Sequence, residues 1–444
     1  MRFIIDQQSL GDLNIPGKHR PGSIYSLFNR TKTEGGEKLL DRLFREPLAD
    51  AGVINRRSAL FRQFQSLALT FPFTADHLLA VEQYLGQQVG SKGMAVWDVM
   101  QKKVLRLAVR SEQYDRLVAG IEACLELVRG SKEMLGDWKA SAGASDHRER
   151  LSRLVDDDLL DRLLEAHRPR ASAELPTSQI VRSHAFFAGT FRERLQVLLE
   201  LVYELDVYIA VGATALEKGF GYAEAGHDGI QLQASALRHP ALDKGVANDL
   251  VLDAEHSVLF LTGANMAGKS TLMKAIGANL YLAHLGFPVA ADSLTFSVME
   301  GIYSSINVPD NIQQGYSHFY AEVLRVKDVA ADVGAGKRLL VLFDELFKGT
   351  NVQDAYEATL AVVEAFARHR QCLFVVSTHI IEVGEALSGK VTNMKLRYLP
   401  TVMEGSKPRY TYRLAEGITS DRQGMLIIEN ERILELINGN NEEK

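Results

Sequence analysis

The stretch VLFLTGANMAGKSTLMKA, residues 258–275, leaves this chain little choice of local structure. Four consecutive apolar residues, 258–261, read as a strand buried on both faces. A loop follows through Gly263, Ala264, Asn265, Met266, Ala267, Gly268, Lys269, Ser270 and Thr271. An amphipathic segment then meets no helix breaker until Gly277. Strand, G-x-x-x-x-G-K-[ST] and helix together are the arrangement of a phosphate-binding loop. The two glycines let backbone N–H groups turn inward around a phosphate chain. The helix N-terminus adds partial positive charge. In such a loop Lys269 supplies a point charge for the β and γ phosphates, and the Ser270 hydroxyl is offered to Mg²⁺.

Two further apolar runs end on side chains that fit the same chemistry. Residues 339–343 form one run, closing on Asp344 and Glu345. Asp344 suits the Mg²⁺ shell, and Glu345 suits the polarising of an attacking water. Residues 373–376 form the other, closing on Ser377, Thr378 and His379. His379 is placed to sense a γ-phosphate from a neighbouring strand end. An acidic pair after a strand is common on surfaces, and a single histidine is more often structural. Three strand ends in this order, each with a fitting side chain, argue for a site.

Length and composition set the frame. A chain of 444 residues has room for two to four domains. Its 46% hydrophobic and 24% charged content is ordinary for a globular protein. The net charge of −6 means that any nucleic-acid surface must be local. Cys124 and Cys372 lie far apart without a partner motif, which favours a reducing, cytoplasmic setting over a disulfide or zinc site. The first residues, MRFIIDQQS, do not read as a signal peptide, and no apolar run is long enough to cross a membrane.

From about residue 23 to 219 the spacing predicts helices. Residues 36–44 and 54–69 are two candidates, and 100–128 reads as one long proline-free helix. Phe191, Leu195, Leu198, Val202, Leu205 and Ile209 step four-three-four-three-four, the spacing of a packed helical seam. Residues 130–177 are more polar and read as a single helix, 146–167, between loops. From 220 onward strands and helices alternate, which predicts a parallel sheet with helices on both faces. Residues 393–399 and 409–414 read as an antiparallel hairpin turning near Gly405, followed by a last helix over 424–437. On a helix, Lys103, Arg106 and Arg110 share a face and form the best local basic patch; Arg148, Arg150, Arg168 and Arg170 are the next.

The loop sequence T-G-A-N-M-A-G-K-S-T strongly resembles that of the ATPase domain in the MutS family of DNA mismatch-repair proteins. The resemblance extends to Arg238-His239-Pro240 and Asn248-Asp249. It continues in Gly315-Tyr316-Ser317-His318-Phe319-Tyr320-Ala321-Glu322, which is similar to the family's signature loop and the helix after it. Asp344-Glu345 with Gly349-Thr350 resembles its Walker B segment, and Ser377-Thr378-His379 its switch histidine. Upstream, Ile5-Asp6, Leu10, Leu13, Thr31-Lys32-Thr33 with Gly36, Leu39-Leu40, Pro47-Leu48 and Ile54 resemble the start of the lever domain. There are departures. His318 replaces a Thr, Phe347-Lys348 a Gly-Arg pair, and Ala264 and Ala267 a Pro and a Gly. Phe44-Arg45-Glu46 and Phe191-Arg192-Glu193 match the family's Phe-x-Glu mismatch wedge only by chance, because both fall inside predicted helices.

The resemblance implies a helical lever domain over 1–220. A phosphate-loop (ABC-type) ATPase domain with a mostly parallel sheet would follow over 221–444, closed by a hairpin and helix. The mismatch-reading, connector and clamp domains would be absent. It implies ATP hydrolysis with Mg²⁺ on Ser270 and Asp344, Lys269 on the phosphates, Asn265 touching them, and Glu345 orienting water. It implies a homodimer in which Ser317 reaches the nucleotide of the second subunit and ATP closes the pair, with DNA and other repair proteins as partners and no membrane. With reader and clamp missing, a nucleotide-switched scaffold that recruits partners without binding DNA is the alternative.

Overall fold

Between residues 28 and 216 the apolar residues recur at helical rather than alternating spacing, and the described chain there is helical throughout, without a strand. The computed structural model describes residues 3–16, 22–86, 94–109, 111–138, 144–167, 176–226, 229–306, 318–404, 407–419 and 433–437. Contacts divide the chain into two compact units. One comprises Met1–Leu27, Glu46–Ser58 and Glu217–Lys444; the other comprises Phe28–Arg45 and Ala59–Leu216.

In the helical unit, the seam read from the sequence is the core. Leu195, Leu198, Val202 and Leu205 on the helix Arg192–Lys218 share one buried cluster with Leu117, Ile121, Cys124 and Val128 on the helix Gln113–Asp137. The single long helix expected over 100–128 is two, Met94–Val109 and Gln113–Asp137. No proline or glycine makes the break; Arg106 stacks its guanidinium 5.5 Å from the Tyr114 ring and pairs with Asp115 at 3.2 Å, holding the turn closed. The expected helix 146–167 is likewise two, Ser145–Val155 and Asp158–Ala166. Asp157 caps the second by accepting from the N–H groups of Leu159 and Leu160.

The Thr31-Lys32-Thr33…Gly36 segment opens the helix Glu34–Arg45. Thr33 Oγ1 accepts from the Gly36 N–H at 2.9 Å, an N-cap bond. Buried Asp206 accepts from the N–H groups of Lys32 and Thr33 and from the Thr33 hydroxyl, at 2.7–3.0 Å. A Cβ on Gly36 would stand 2.4 Å from the Asp206 carboxylate, so this approach requires glycine.

The other unit holds the strands β1 (Gly221–Gly226), β2 (Gln231–Leu237), β3 (Asn248–Asp253), β4 (Val258–Gly263), β5 (Pro288–Val289), β6 (Ser293–Ser297), β7 (Gly301–Ser305), β8 (Leu339–Asp344), β9 (Leu373–Ser377), β10 (Met394–Leu399), β11 (Thr401–Glu404), β12 (Lys407–Tyr410) and β13 (Ala415–Glu416). A six-stranded sheet runs β13-β10-β4-β9-β8-β7, parallel except for the edge strand β13. Val258 and Phe260 of β4, with Val341 and Phe343 of β8, join a core with the helices His318–Gly334, Val352–Ala367 and Ile381–Ser388. On the opposite face Leu342 meets the helix Lys269–Leu285, where a Cβ on Gly277 would stand 2.8 Å from it. A second, mixed sheet, β3-β2-β6-β1-β5, was not expected from the sequence; β1 and β6 carry too few large apolar residues to announce themselves.

Two expectations change here. The hairpin is β11 with β12, Thr401 opposite Tyr410, and β10 instead pairs in parallel with β4. Gly405 and residues 424–432 lie outside the described residues. A single cut near 220 also separates segments that fold together. Ile4 bridges Gly301, the Asp12 carboxylate accepts from Ser304 Oγ and Ile306 N, and Arg325 pairs with Asp6, all within the sheet-containing unit.

Candidate functional site

β4 is buried along its whole length, so its C-terminal end can deliver a loop only at the sheet's rim. There Gly263 takes φ +147° and Gly268 φ +102°, conformations that L side chains rarely adopt. Between them Met266, at φ 69°, is a strained non-glycine residue with its side chain exposed. The helix Lys269–Leu285 starts directly after Gly268, so its first N–H groups point back into the loop.

Lys269 is the unusual member. The residue is only 5% exposed, and its ammonium donates to the carbonyls of Gly263 at 2.8 Å and Ala264 at 3.2 Å. Among the described residues no carboxylate forms an ion pair with it. Burial lowers its pKa, partly opposed by the more distant charges of Glu345 and Asp344. A buried ammonium held only by carbonyls is a place prepared for an anion.

The neighbouring strand ends converge on the same rim. Asp344 ends β8 and accepts from the Ser377 hydroxyl, which ends β9. Glu345 follows at φ 56°, and its carboxylate meets His379 Nε2 at 2.6 Å. That hydrogen bond holds the Glu345 carboxyl below its ordinary range, against the opposing effect of burial. A left-handed glutamate is strain of the kind found at functional sites.

A cleft of about 540 Å³ opens beside the loop, within the size range of small-molecule sites. Ala264, Asn265, Met266, Gly268, Lys269, Ser270, Thr271 and Glu345 line it, so all but three of the expected loop and acid residues meet in one cavity. Gly263 and Ala267 support the loop from behind, and Asp344 sits one residue from the lining Glu345. Ser317 lies outside the described residues.

The far wall was not foreseen from the sequence. Leu237, His239, Leu242, Lys244, Leu399 and Tyr412 are among its residues. Tyr412 has φ 56° and stands against the loop, 3.0 Å from where a Cβ on Gly268 would lie. Asn248 fixes that strap with both ends of its amide. Its Nδ2 donates to the Tyr412 carbonyl at 2.9 Å, and its Oδ1 accepts from the Leu414 N–H at 2.7 Å. The sequence singles out Arg238-His239-Pro240 and Asn248-Asp249 only as segments resembling the family's, without a place in the site. Arg238 also borders the cleft, and its guanidinium donates to the carbonyls of Lys218 and Gly219 at 3.1 and 2.7 Å. Burial, helped by Lys274, pushes the pKa of His239 down to about 4, so it faces the cleft as a neutral ring.

The basic patches are engaged internally. Lys103 Nζ donates to Thr177 Oγ1 at 2.6 Å, Arg106 pairs with Asp115, Arg148 donates to the Trp138 carbonyl at 2.8 Å, and Arg150 pairs with Glu204 at 3.1 Å. Arg110, Arg168 and Arg170 lie outside the described residues. No helix of the described residues is long and apolar enough to cross a membrane.

Residues 259–439 match the family model for MutS domain V. The chain is 28% identical over 242 residues to the DNA mismatch repair protein MutS of Geobacillus sp. (strain WCH70), covering 53% of this chain and 28% of that one. The MutS of Listeria monocytogenes serotype 4b (strain CLIP80459) is 29% identical over 243 residues, with the same coverage. That of Leuconostoc citreum (strain KM20) is 26% identical over 477 aligned positions, covering 86% of this chain and 54% of the relative. The chain thus spans little more than half the length of the longest-matching of these relatives, and about a quarter of the others. Sheet, rim loop and family match coincide over the same residues, and the C-terminal part of the chain carries a MutS-family domain V.

Proposed function

We propose that this chain binds ATP with Mg²⁺ in the cleft beside Lys269 and hydrolyses it, and that the cycle serves an action on DNA in mismatch repair or recombination. The observation that carries the reading is the buried Lys269 ammonium, without a paired carboxylate among the described residues, at the start of a helix and at the floor of a cleft of nucleotide size.

The donor set fits the metal. Among the described residues no cluster of three His, Cys, Asp or Glu could hold an ion alone. One hydroxyl, Ser270, and one carboxylate, Asp344, suit Mg²⁺, which keeps waters and leans on substrate phosphates. When bound, it neutralises charge on the β and γ oxygens. Lys269 and the N–H groups of 264–271 hold and orient the phosphates, with Asn265 at the loop's crest. Glu345, fixed by His379, orients the water for in-line attack. The Tyr412 strap and His239 give the base and ribose an apolar wall.

A lever-plus-ATPase organisation, in which residues 1–27 and 46–58 fold with the ATPase part, and a cytoplasmic homodimer with composite sites belong to the same proposal. Ser317 from one subunit would reach the other's nucleotide, and ATP would close the pair. Lys269→Ala should abolish binding of a slowly hydrolysed ATP analogue in calorimetry. Glu345→Gln should keep binding but slow hydrolysis by at least ~100-fold. Unchanged affinity in the first, or wild-type turnover in the second, sinks the assignment.

One observation favours the second reading, a nucleotide-switched scaffold that binds no DNA: the described basic candidates are already engaged inside the helical unit. Filter binding with duplex, mismatched and junction DNA, with and without ATP, separates the two.

A further inference from the structure

The helix Met94–Val109 has two opposite faces, and the wrong one is open. Its inner face is used within the helical unit. Val99 is fully buried, Asp98 takes the Lys102 ammonium at 2.7 Å and lies 3.3 Å from His184 Nε2, and Arg106 stacks on Tyr114. The outer face carries Trp97, Met100, Val104 and Leu107, with Val96 beside them, each between 49% and 79% exposed. Five such side chains leave on the order of 500 Å² of apolar surface open, toward the top of the range for the largest patch on a monomer.

The stripe steps three, four and three residues, which is the narrow seam of a two-helix contact rather than the broad face of a core helix. It is also self-complementary. Residues 97 and 107, and 100 and 104, lie symmetrically about position 102. A two-fold axis there sets Trp97 against the partner's Leu107, and Met100 against the partner's Val104. Two stripes together bury roughly 1,000 Å², the floor for a specific interface. Of the flanking positions Gln101, Lys103 and Ala108, only Lys103 is charged, and its ammonium is held by Thr177 at 2.6 Å. Among the described residues no row of like charges opposes the approach.

We infer that this face is an antiparallel contact between two copies of the chain. It forms without nucleotide and is separate from any association driven by the nucleotide cleft, so it does not depend on the proposed ATPase reading.

The test uses the full chain in a chelating buffer without nucleotide. Analytical ultracentrifugation over about 1–100 µM should give a dimer. Val104→Glu combined with Leu107→Glu should weaken it at least ~30-fold; Trp97→Gln with Met100→Gln is the second variant should the first fail to fold by circular dichroism. Register is read by oxidative cross-linking of Met100→Cys copies mixed with Val104→Cys copies. The natural cysteines Cys124 and Cys372 are buried and do not compete. The mixture should cross-link faster than either variant alone. A wild-type chain that stays monomeric at 100 µM overturns the inference. So does a dimer that persists in both stripe variants, or faster cross-linking in Met100→Cys alone. So does a monomer that uses the stripe to bind phosphatidylserine vesicles or duplex DNA.

Discussion

The buried carboxylate of Asp206 should decide whether the helix Glu34–Arg45 is held at its start. Asp206 accepts three donors, the N–H groups of Lys32 and Thr33 and the Thr33 hydroxyl, and Thr33 in turn caps that helix. Asp206→Ala leaves all three without their acceptor. Hydrogen bonds to a charged group contribute about 1.5–3 kcal/mol each, and relief of the buried charge offsets part of their loss. The net is a destabilisation of about 3–4 kcal/mol, the scale for removing one side of a buried polar set. Asp206→Asn keeps one acceptor oxygen and turns an amide toward the donors, so it should cost about half as much.

Urea denaturation followed by tryptophan fluorescence reads this directly. The chain's two tryptophans, Trp97 and Trp138, both lie in the helical unit with Asp206. With a slope of ~2 kcal/mol per molar, the Ala variant's midpoint should fall by about 1.5–2 M. A fall under ~0.3 M would mean that other groups satisfy those donors, and the reasoning would be wrong. The pH dependence has a definite sign. Burial, the largest cause, holds the Asp206 carboxyl above its ordinary value of 3.8 despite its donors. Its contribution is therefore complete below that value and declines as pH rises through the raised native one. The stability gap between wild type and Asp206→Asn should narrow over that window and then stay constant.

Two further predictions concern the cleft. His379→Ala removes the bond that depresses the Glu345 carboxyl, so in a carbon-13 NMR titration its midpoint should rise toward the ordinary 4.5; the depressed group's contribution in wild type is present above that value and lost as pH falls through the native one, and an unchanged midpoint would sever the pair. Asn248→Ala cuts both amide bonds to the 411–414 strap, so proteolysis there should quicken and nucleotide affinity should drop about tenfold by calorimetry. Equal affinity would mean that Tyr412 is no wall of the site.

The loop at 263–271 was legible because its chemistry is contiguous: strand, two glycines, lysine and helix start lie within eighteen residues. Asp344, Glu345 and His379 were legible because each ends an apolar run, and strand ends are where a parallel sheet presents side chains. The other wall was not. Tyr412 reaches Gly268 across more than a hundred residues, through an amide clamp from Asn248 that no spacing announces. Strand β10 was misassigned to the hairpin for a related reason. Its sequence MKLRYL alternates cations with apolar residues and is mostly half-buried, which reads as an exposed strand. Pairing with β4 needs only backbone groups, and those carry no sequence signature.

The helix Met94–Val109 marks the limit of periodicity most clearly. Spacing puts Lys103 and Arg106 on one face of that helix. It does not say which side faces inward, and the usual rule, apolar inside, gives the wrong answer. Four side chains reverse it. Asp98 holds Lys102, Thr177 holds Lys103, and Asp115 with Tyr114 holds Arg106, so the cationic side is satisfied within its own unit. Two of those partners, Asp98 and Asp115, would read on sequence alone as solvated surface charges. Asp98 sits one turn before Lys102 on the same helix, while Asp115, Tyr114 and Thr177 come from other helices; together they engage the cationic side, and that leaves the apolar seam for a partner to cover.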